Sequence, residues 1–123
     1  MPKHCPCHSN KLYKACCQPF HEGALPQTAL QLMRSRYSAY ALNLPDYILA
    51  TTHPDSPQPT KESLIHFSTT TTFAGLTILD STETTVTFHA HLLQQNRDAS
   101  FTEKSHFEKL HGRWYYHSAA SLE

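Results

Sequence analysis

Along this chain the spacing of apolar residues changes once, from a period near 3.6 to a period of two. Residues 28–44, TALQLMRSRYSAYALNL, place Leu30, Met33, Tyr37, Tyr40/Ala41 and Leu44 on one stripe. That spacing predicts the main helix, with Thr28 as its N-cap. Pro45 opens a second helical segment over 46–52, and His53-Pro54 breaks it. A polar, proline-rich loop follows over 55–59, then a short third helix over 60–66. The run Ser68-Thr69-Thr70-Thr71-Thr72 takes no assignment from its pattern. From Phe73 the alternation predicts strands over 73–80, 83–94, 99–109 and 113–118, the second with Val86, Phe88, Ala90 and Leu92 on one face.

Helices followed by an antiparallel meander predict an α+β fold, with the helices packed on one face of a curved sheet. A two-residue turn at Asn96-Arg97 sets Leu92 opposite Phe101, Ala90 opposite Glu103, Phe88 opposite Ser105 and Val86 opposite Phe107. A turn at His111-Gly112 sets Phe107 opposite Tyr116 and Lys109 opposite Trp114. The apolar sets coincide in this register, whereas a one-residue slip would send each set to the wrong face. The same register turns Glu103 and Ser105 inward, among Phe88, Phe101, Phe107, Trp114 and Tyr116. A carboxylate there needs a partner or a polar cavity.

The first 22 residues follow neither period, and all four cysteines fall among them. Cys5, Cys7, Cys16 and Cys17 stand in CPCHSNKLYKACC. A segment this short cannot bury a core, and four thiolates can surround one tetrahedral ion at about 2.3 Å, so the spacing predicts a single structural zinc. Pro6 helps the first pair point together, Ser9-Asn10 offers turn chemistry, and residues 11–17 read as a helical turn carrying the second pair. Lys3, Lys11 and Lys14 are candidates to offset the thiolate charge. His4, His8 and His21 stand near enough in sequence to replace a cysteine ligand.

Charge narrows the classes of partner. Lys+Arg and Asp+Glu balance at 10 each, so no global field draws the chain to nucleic acid or an anionic membrane. The start, MPKHCPCHSN, lacks the apolar region of a signal peptide, and no run approaches a membrane span. A cytoplasmic protein is the expectation, and in a reducing compartment clustered cysteines favour metal over disulfides.

The cysteine segment resembles the SEC-C motif, the zinc tail best known at the C-terminus of the bacterial preprotein translocase motor ATPase. The match is C-P-C-x-S-x-K-x-Y-K-x-C-C, with His8 and Asn10 where the motif usually has glycine. The chain as a whole resembles the uncharacterised YchJ-like bacterial family, a SEC-C module followed by a nuclear transport factor 2-like domain. Residues 32–42 (LMRSRYSAYAL), Asp46-Tyr47-Ile48, Thr52-His53-Pro54, Glu103-x-Ser105-x-Phe107 and residues 112–116 (GRWYY) carry that likeness. It implies a zinc module over 1–22 and a cone-shaped, cystatin-like domain over 23–121 that encloses a cavity. Some relatives carry a second SEC-C motif, whereas this sequence has no cysteine after Cys17.

Inside such a cone Glu103 is the candidate functional acid. Arg34 and Arg36 are its candidate partners, although two residues on a helix point about 200° apart and only one can face the sheet. Tyr37, Tyr40, His53, Ser105, Trp114 and Tyr116 complete the candidate pocket. An Arg–Glu pair tying helix to sheet is the simplest arrangement; the alternative is a small-molecule cavity with Glu103 or His53 as general base. His89, His91, His106 and His117 fall on the outer face, where His106 is expected opposite Thr87 and His117. That face is the candidate for a homodimer contact. No nucleophile elbow, phosphate loop or dinucleotide fingerprint occurs, so no catalytic residue is assigned.

Three functional readings follow. The leading one is a non-enzymatic zinc-binding accessory protein whose residues 1–22 dock another protein, with the cone as scaffold or ligand pocket. The second is an enzyme or small-molecule-binding protein using the cavity around Glu103. The third is an RNA- or ribosome-associated factor, for which three lysines and one tyrosine make a thin footprint. On any of them, stripping the metal is expected to unfold residues 1–22 and leave the rest folded.

Overall fold

The structure is a computed structural model that describes residues 3–122. A 3-10 turn at Tyr13–Ala15 and a one-turn helix, α1 (Gln18–His21), belong to the N-terminal segment. Three helices follow: α2 (Ala29–Ala41), α3 (Pro45–Ala50) and α4 (Lys61–Thr70). The strands are β1 (Thr72–Ser81), β2 (Thr85–Gln94), the short β3 (Arg97–Asp98), β4 (Phe101–Leu110) and β5 (Arg113–Ser121). Among the described residues no helix is long and apolar enough to cross a membrane.

Local chemistry sets the helix ends. The Thr28 and Thr60 hydroxyls each accept from the backbone N–H three residues on, at 3.1 Å. Asn43, at φ 57°, ends α2 in a Schellman motif, in which Leu44 N–H reaches Ala39 O at 2.8 Å. The threonine run extends α4 by a turn: Thr69 and Thr70 hydroxyls bond the Ile65 and His66 carbonyls, so these side chains satisfy helix groups instead of entering a strand.

The α2 stripe is wider than its spacing implies. Leu32, Ser35, Arg36, Ser38 and Ala39 are buried along with Met33 and Tyr37, while Leu30, Tyr40 and Leu44 are only half-buried. The helix is covered on several sides, by the sheet, by α3 and α4, and by the cysteine segment.

The antiparallel sheet runs in the order β1-β2-β4-β5, with β3 extending the β2 hairpin. Its β2–β4 register corrects the sequence expectation by two residues. The turn falls at Gln95-Asn96, both at positive φ, one residue earlier than expected. Ala90 therefore pairs with Phe101, Phe88 with Glu103 and Val86 with Ser105. A shift of two preserves every face, so Glu103 and Ser105 remain on the inner side. The β4–β5 pairing follows expectation at Phe107↔Tyr116 and Lys109↔Trp114, then a bulge at His106 shifts the rest. His106 consequently lies opposite Thr85 and Ser118, not Thr87 and His117.

One buried cluster joins both parts of the chain. Cys5, Cys7, Tyr13 and Cys17 pack with Leu32, Met33 and Tyr37 of α2 and with Val86, Phe88, Phe107 and Trp114 of the sheet. A smaller cluster holds Ala39, Ile48 and Leu64 where α2, α3 and α4 meet. The loop after α3 is stitched to β5 by His53 N–H to Tyr116 O and Tyr116 N–H to Thr51 O, both at 2.8 Å.

Candidate metal centre and cavity

The cysteine segment folds back so that its four Sγ atoms lie within 4.8 Å of one another. Cys7 and Cys16 sulfurs are 3.6 Å apart, and Cys16 and Cys17 are 3.9 Å apart. Tetrahedral coordination at about 2.3 Å puts sulfurs about 3.8 Å apart, so the donor set fits one such ion. His8 and Asn10 adopt φ of 61° and 68°, the left-handed geometry that glycine would otherwise supply. His8 is held there by a 3.2 Å contact from Nε2 to Phe73 O and an edge contact with the Tyr37 ring.

Electrostatics at the sulfurs is strongly coupled. Hydrogen bonds, first from Cys17, push the Cys7 thiol far down, whereas the same contacts with Cys5 and Cys7 push Cys17 up. The counter-charge comes from α2. Arg34 Nη1 donates to Cys7 O at 3.1 Å and lies 3.8 Å from Cys7 Sγ. Ser38 and Ser9 hydroxyls lie 3.4 and 3.2 Å from the Cys5 and Cys16 sulfurs. Lys3, Lys11 and Lys14, the sequence candidates for this role, are exposed. Sequence reading missed both in this role; Arg34 and Ser38 stand four apart on one helical face, the signal that pairs them.

The nearby histidines are engaged elsewhere. His21 Nε2 donates to Ser35 O at 2.8 Å, which leaves Nδ1 to accept from the Tyr13 hydroxyl at 2.7 Å. His4 is exposed. Among the described residues the cysteines are the single group of three or more metal-binding side chains close enough to share an ion. His89 and His91 meet edge to face at 4.4 Å, yet each bonds a threonine, Thr102 and Thr77 respectively.

On the other side of α2 the helices and sheet line a half-open cavity of about 400 Å³. Its wall takes Met33, Arg36, Tyr37 and Tyr40 from α2, Ser63, Leu64 and Phe67 from α4, and Phe73 from β1. The sheet adds Phe88, Ala90, Leu92, Phe101, Glu103, Ser105, Phe107 and Tyr116. Sequence alone missed the α4 and β1 side because no local pattern says which face of the sheet that helix covers.

Three of the sequence-predicted pocket residues lie elsewhere. Arg34 faces the sulfurs, as above. Trp114 packs in the core, with its indole N–H donating to Gln27 O at 3.2 Å. His53 is buried beneath the β5 stitch; its Nδ1 accepts from Asp55 N–H at 3.0 Å, and Nε2 sits 3.3 Å from Glu108 Oε1 without hydrogen-bond geometry. It cannot serve as a base in the cavity.

The expected Arg–Glu tie is also absent among the described residues. Arg36 Nη1 donates to Ile48 O at 3.0 Å and to the Thr51 and Thr52 hydroxyls at 2.8 and 3.3 Å, and the guanidinium lies 4.6 Å from the Tyr116 ring centroid. The Glu103 carboxylate has no hydrogen-bond or ion-pair partner among the described residues, and burial raises its pKa. Burial also pushes the Tyr37 hydroxyl up to about 12 while it donates to Gly75 O at 2.8 Å.

A cysteine knuckle seated on the outside of a cone with an internal cavity defines a class: a SEC-C module on a nuclear transport factor 2-like domain. The two family models that match describe these parts, the SEC-C motif at residues 1–19 and the YchJ middle NTF2-like domain at residues 28–119. The chain belongs to this YchJ-like family, whose curated relatives are called UPF0225 proteins. One from Sodalis glossinidius is 40% identical over 91% of this chain and 79% of its own length; one from Deinococcus radiodurans is 40% identical over 96% and 89%. A SEC-C motif-containing protein from Rhodopseudomonas palustris, solved in solution, superposes with a TM-score of 0.84 at 31% identity, covering 97% of this chain and 98% of that one. A crystal structure of such a protein from Psychrobacter arcticus gives a TM-score of 0.75 at 26% identity, over 97% and 82%.

Proposed function

We propose that this is a small-molecule-binding protein whose site is the cone cavity, braced by one structural zinc on Cys5, Cys7, Cys16 and Cys17. The observation that carries the reading is a half-open cavity of about 400 Å³ with a carboxylate in its wall, Glu103, that has no partner among the described residues. That volume lies in the range of small-ligand sites, and the predominantly aromatic lining with few polar groups matches their usual chemistry. Weight moves from the cysteine segment to the cavity because three of the four cysteines are buried and their sulfurs face α2. An all-thiolate site is coordinatively closed, so the zinc serves folding.

The test uses the methyl group of Met33, a residue of the cavity wall, as an NMR reporter during titration with indole. Wild type is expected to show a saturable Met33 shift that Ala90→Leu and, separately, Ser105→Leu abolish while each variant still melts cooperatively. An unmoved Met33 methyl, or indole binding indifferent to both fillings, overturns the reading.

A further inference from the structure

Resting on that cavity reading, we infer that its ligand is a compact, mostly apolar amine whose protonated nitrogen is held by the Glu103 carboxylate. The cavity has two charged residues, and they are not equally available. Arg36 is already engaged: three oxygens from the end of α3 and its following loop surround Nη1, and the Tyr116 ring covers the guanidinium plane at 4.6 Å. Glu103 has no such shell among the described residues, although it stands directly across from Phe88 and on the same face as Phe101. An anionic ligand would find the Arg36 Nη1 donors in use and the guanidinium plane covered by Tyr116, and it would share the space with a like-charged carboxylate. A cation or strong N–H donor meets a carboxylate whose acceptors are free.

The surroundings favour the same chemistry. Phe88 and Phe101 sit edge to face at 6.1 Å, and Phe107 and Tyr116 do so at 6.0 Å, which brings ring surfaces to the neighbourhood of the carboxylate. Aromatic faces attract cations, and a carboxylate removed from water gains most from a charge-assisted hydrogen bond. Charge balance is preserved on binding, because the ammonium neutralises Glu103 while Arg36 keeps its own contacts.

Three probes of one size separate the outcomes: phenethylamine, 2-phenylethanol and phenylacetate, each titrated against the full metal-loaded chain with the Met33 methyl as reporter. The amine is expected to bind about 10-fold tighter than the alcohol, and Glu103→Gln should erase that margin while leaving alcohol binding in place. In wild type the margin should also shrink as Glu103 is protonated at acid pH, a check that needs no variant. Equal binding of amine and alcohol, or tightest binding of phenylacetate, overturns the amine assignment and leaves the cavity reading standing. No response to any of the three overturns both.

Discussion

The two sides of helix α2 carry opposite kinds of site. On one side Arg34 and Ser38 reach the cysteine sulfurs, and the thiol set, the cation beside it and both ring nitrogens of His21 find their partners within the chain. On the other side Met33, Arg36, Tyr37 and Tyr40 face a space that the chain leaves unfilled, with one carboxylate that has no partner among the described residues. A site closed by its own residues stabilises; a site left open is available to something else. The sides are joined physically: Tyr37 touches His8 of the cysteine knuckle and also lines the cavity, and His8 grips the carbonyl of Phe73, another cavity residue.

The strongest test of this contrast is removal of the metal. Structural zinc contributes about 10–16 kcal/mol in isolated zinc-finger peptides, comparable to the whole stability of a domain. Because the cysteines share one buried cluster with α2 and the sheet, chelation or Cys5→Ser/Cys7→Ser should abolish cooperative unfolding of the entire chain, as read by calorimetry. This departs from the expectation drawn from sequence that only residues 1–22 would unfold. An unchanged Met33 methyl signal in the stripped protein would show the two sides to be independent.

A smaller effect isolates the metal side. Arg34→Ala should lower metal affinity about 10–100-fold in competition with a chelator, while indole binding in the cavity stays the same. Equal retention of metal by the variant would reduce Arg34 to a surface contact.

The smallest effect isolates the cavity side. Glu103 is half-buried, and burial raises its pKa, so its protonated form is favoured by folding. A raised carboxyl pKa leaves stability unaffected below the unfolded value of about 4.3 and reduces it as pH rises through the folded value. Arg36, Tyr37, Tyr40 and Tyr116 are the other ionisable groups facing the same space, and Tyr37, Tyr116 and Arg36 are themselves shifted mainly by burial. Glu103→Gln should therefore raise the melting temperature by about 1–3 °C at pH 7 and by nothing near pH 4, with solvent screening keeping the gain small. A destabilised variant at pH 7 would mean that the carboxylate has a stabilising partner after all.

Much of this was legible in one dimension. The four cysteines, the N-cap at Thr28, the turn at His111-Gly112 and the inward face of Glu103 all follow from short-range rules of spacing, capping and alternation. The failures share a physical cause. Gln95 takes a left-handed conformation that its residue type does not advertise, so the hairpin turn moved by one position. The threonines of 69–70 bond to helix carbonyls although their β-branched type favours strands. Arg34, Arg36 and His53 were assigned partners by type, whereas their partners were decided by which helix face and which loop met them.

Sequence by itself thus determined the clustered thiol donor set, the order of elements and the face on which each strand residue stands, because these depend on covalent spacing and local backbone preference. Tertiary structure decided that the cysteine segment is fused to the main core, that Arg36 is spent on backbone and hydroxyl oxygens, and that Glu103 is left facing open space. Those outcomes depend on distances between segments tens of residues apart, which packing sets and no local pattern encodes.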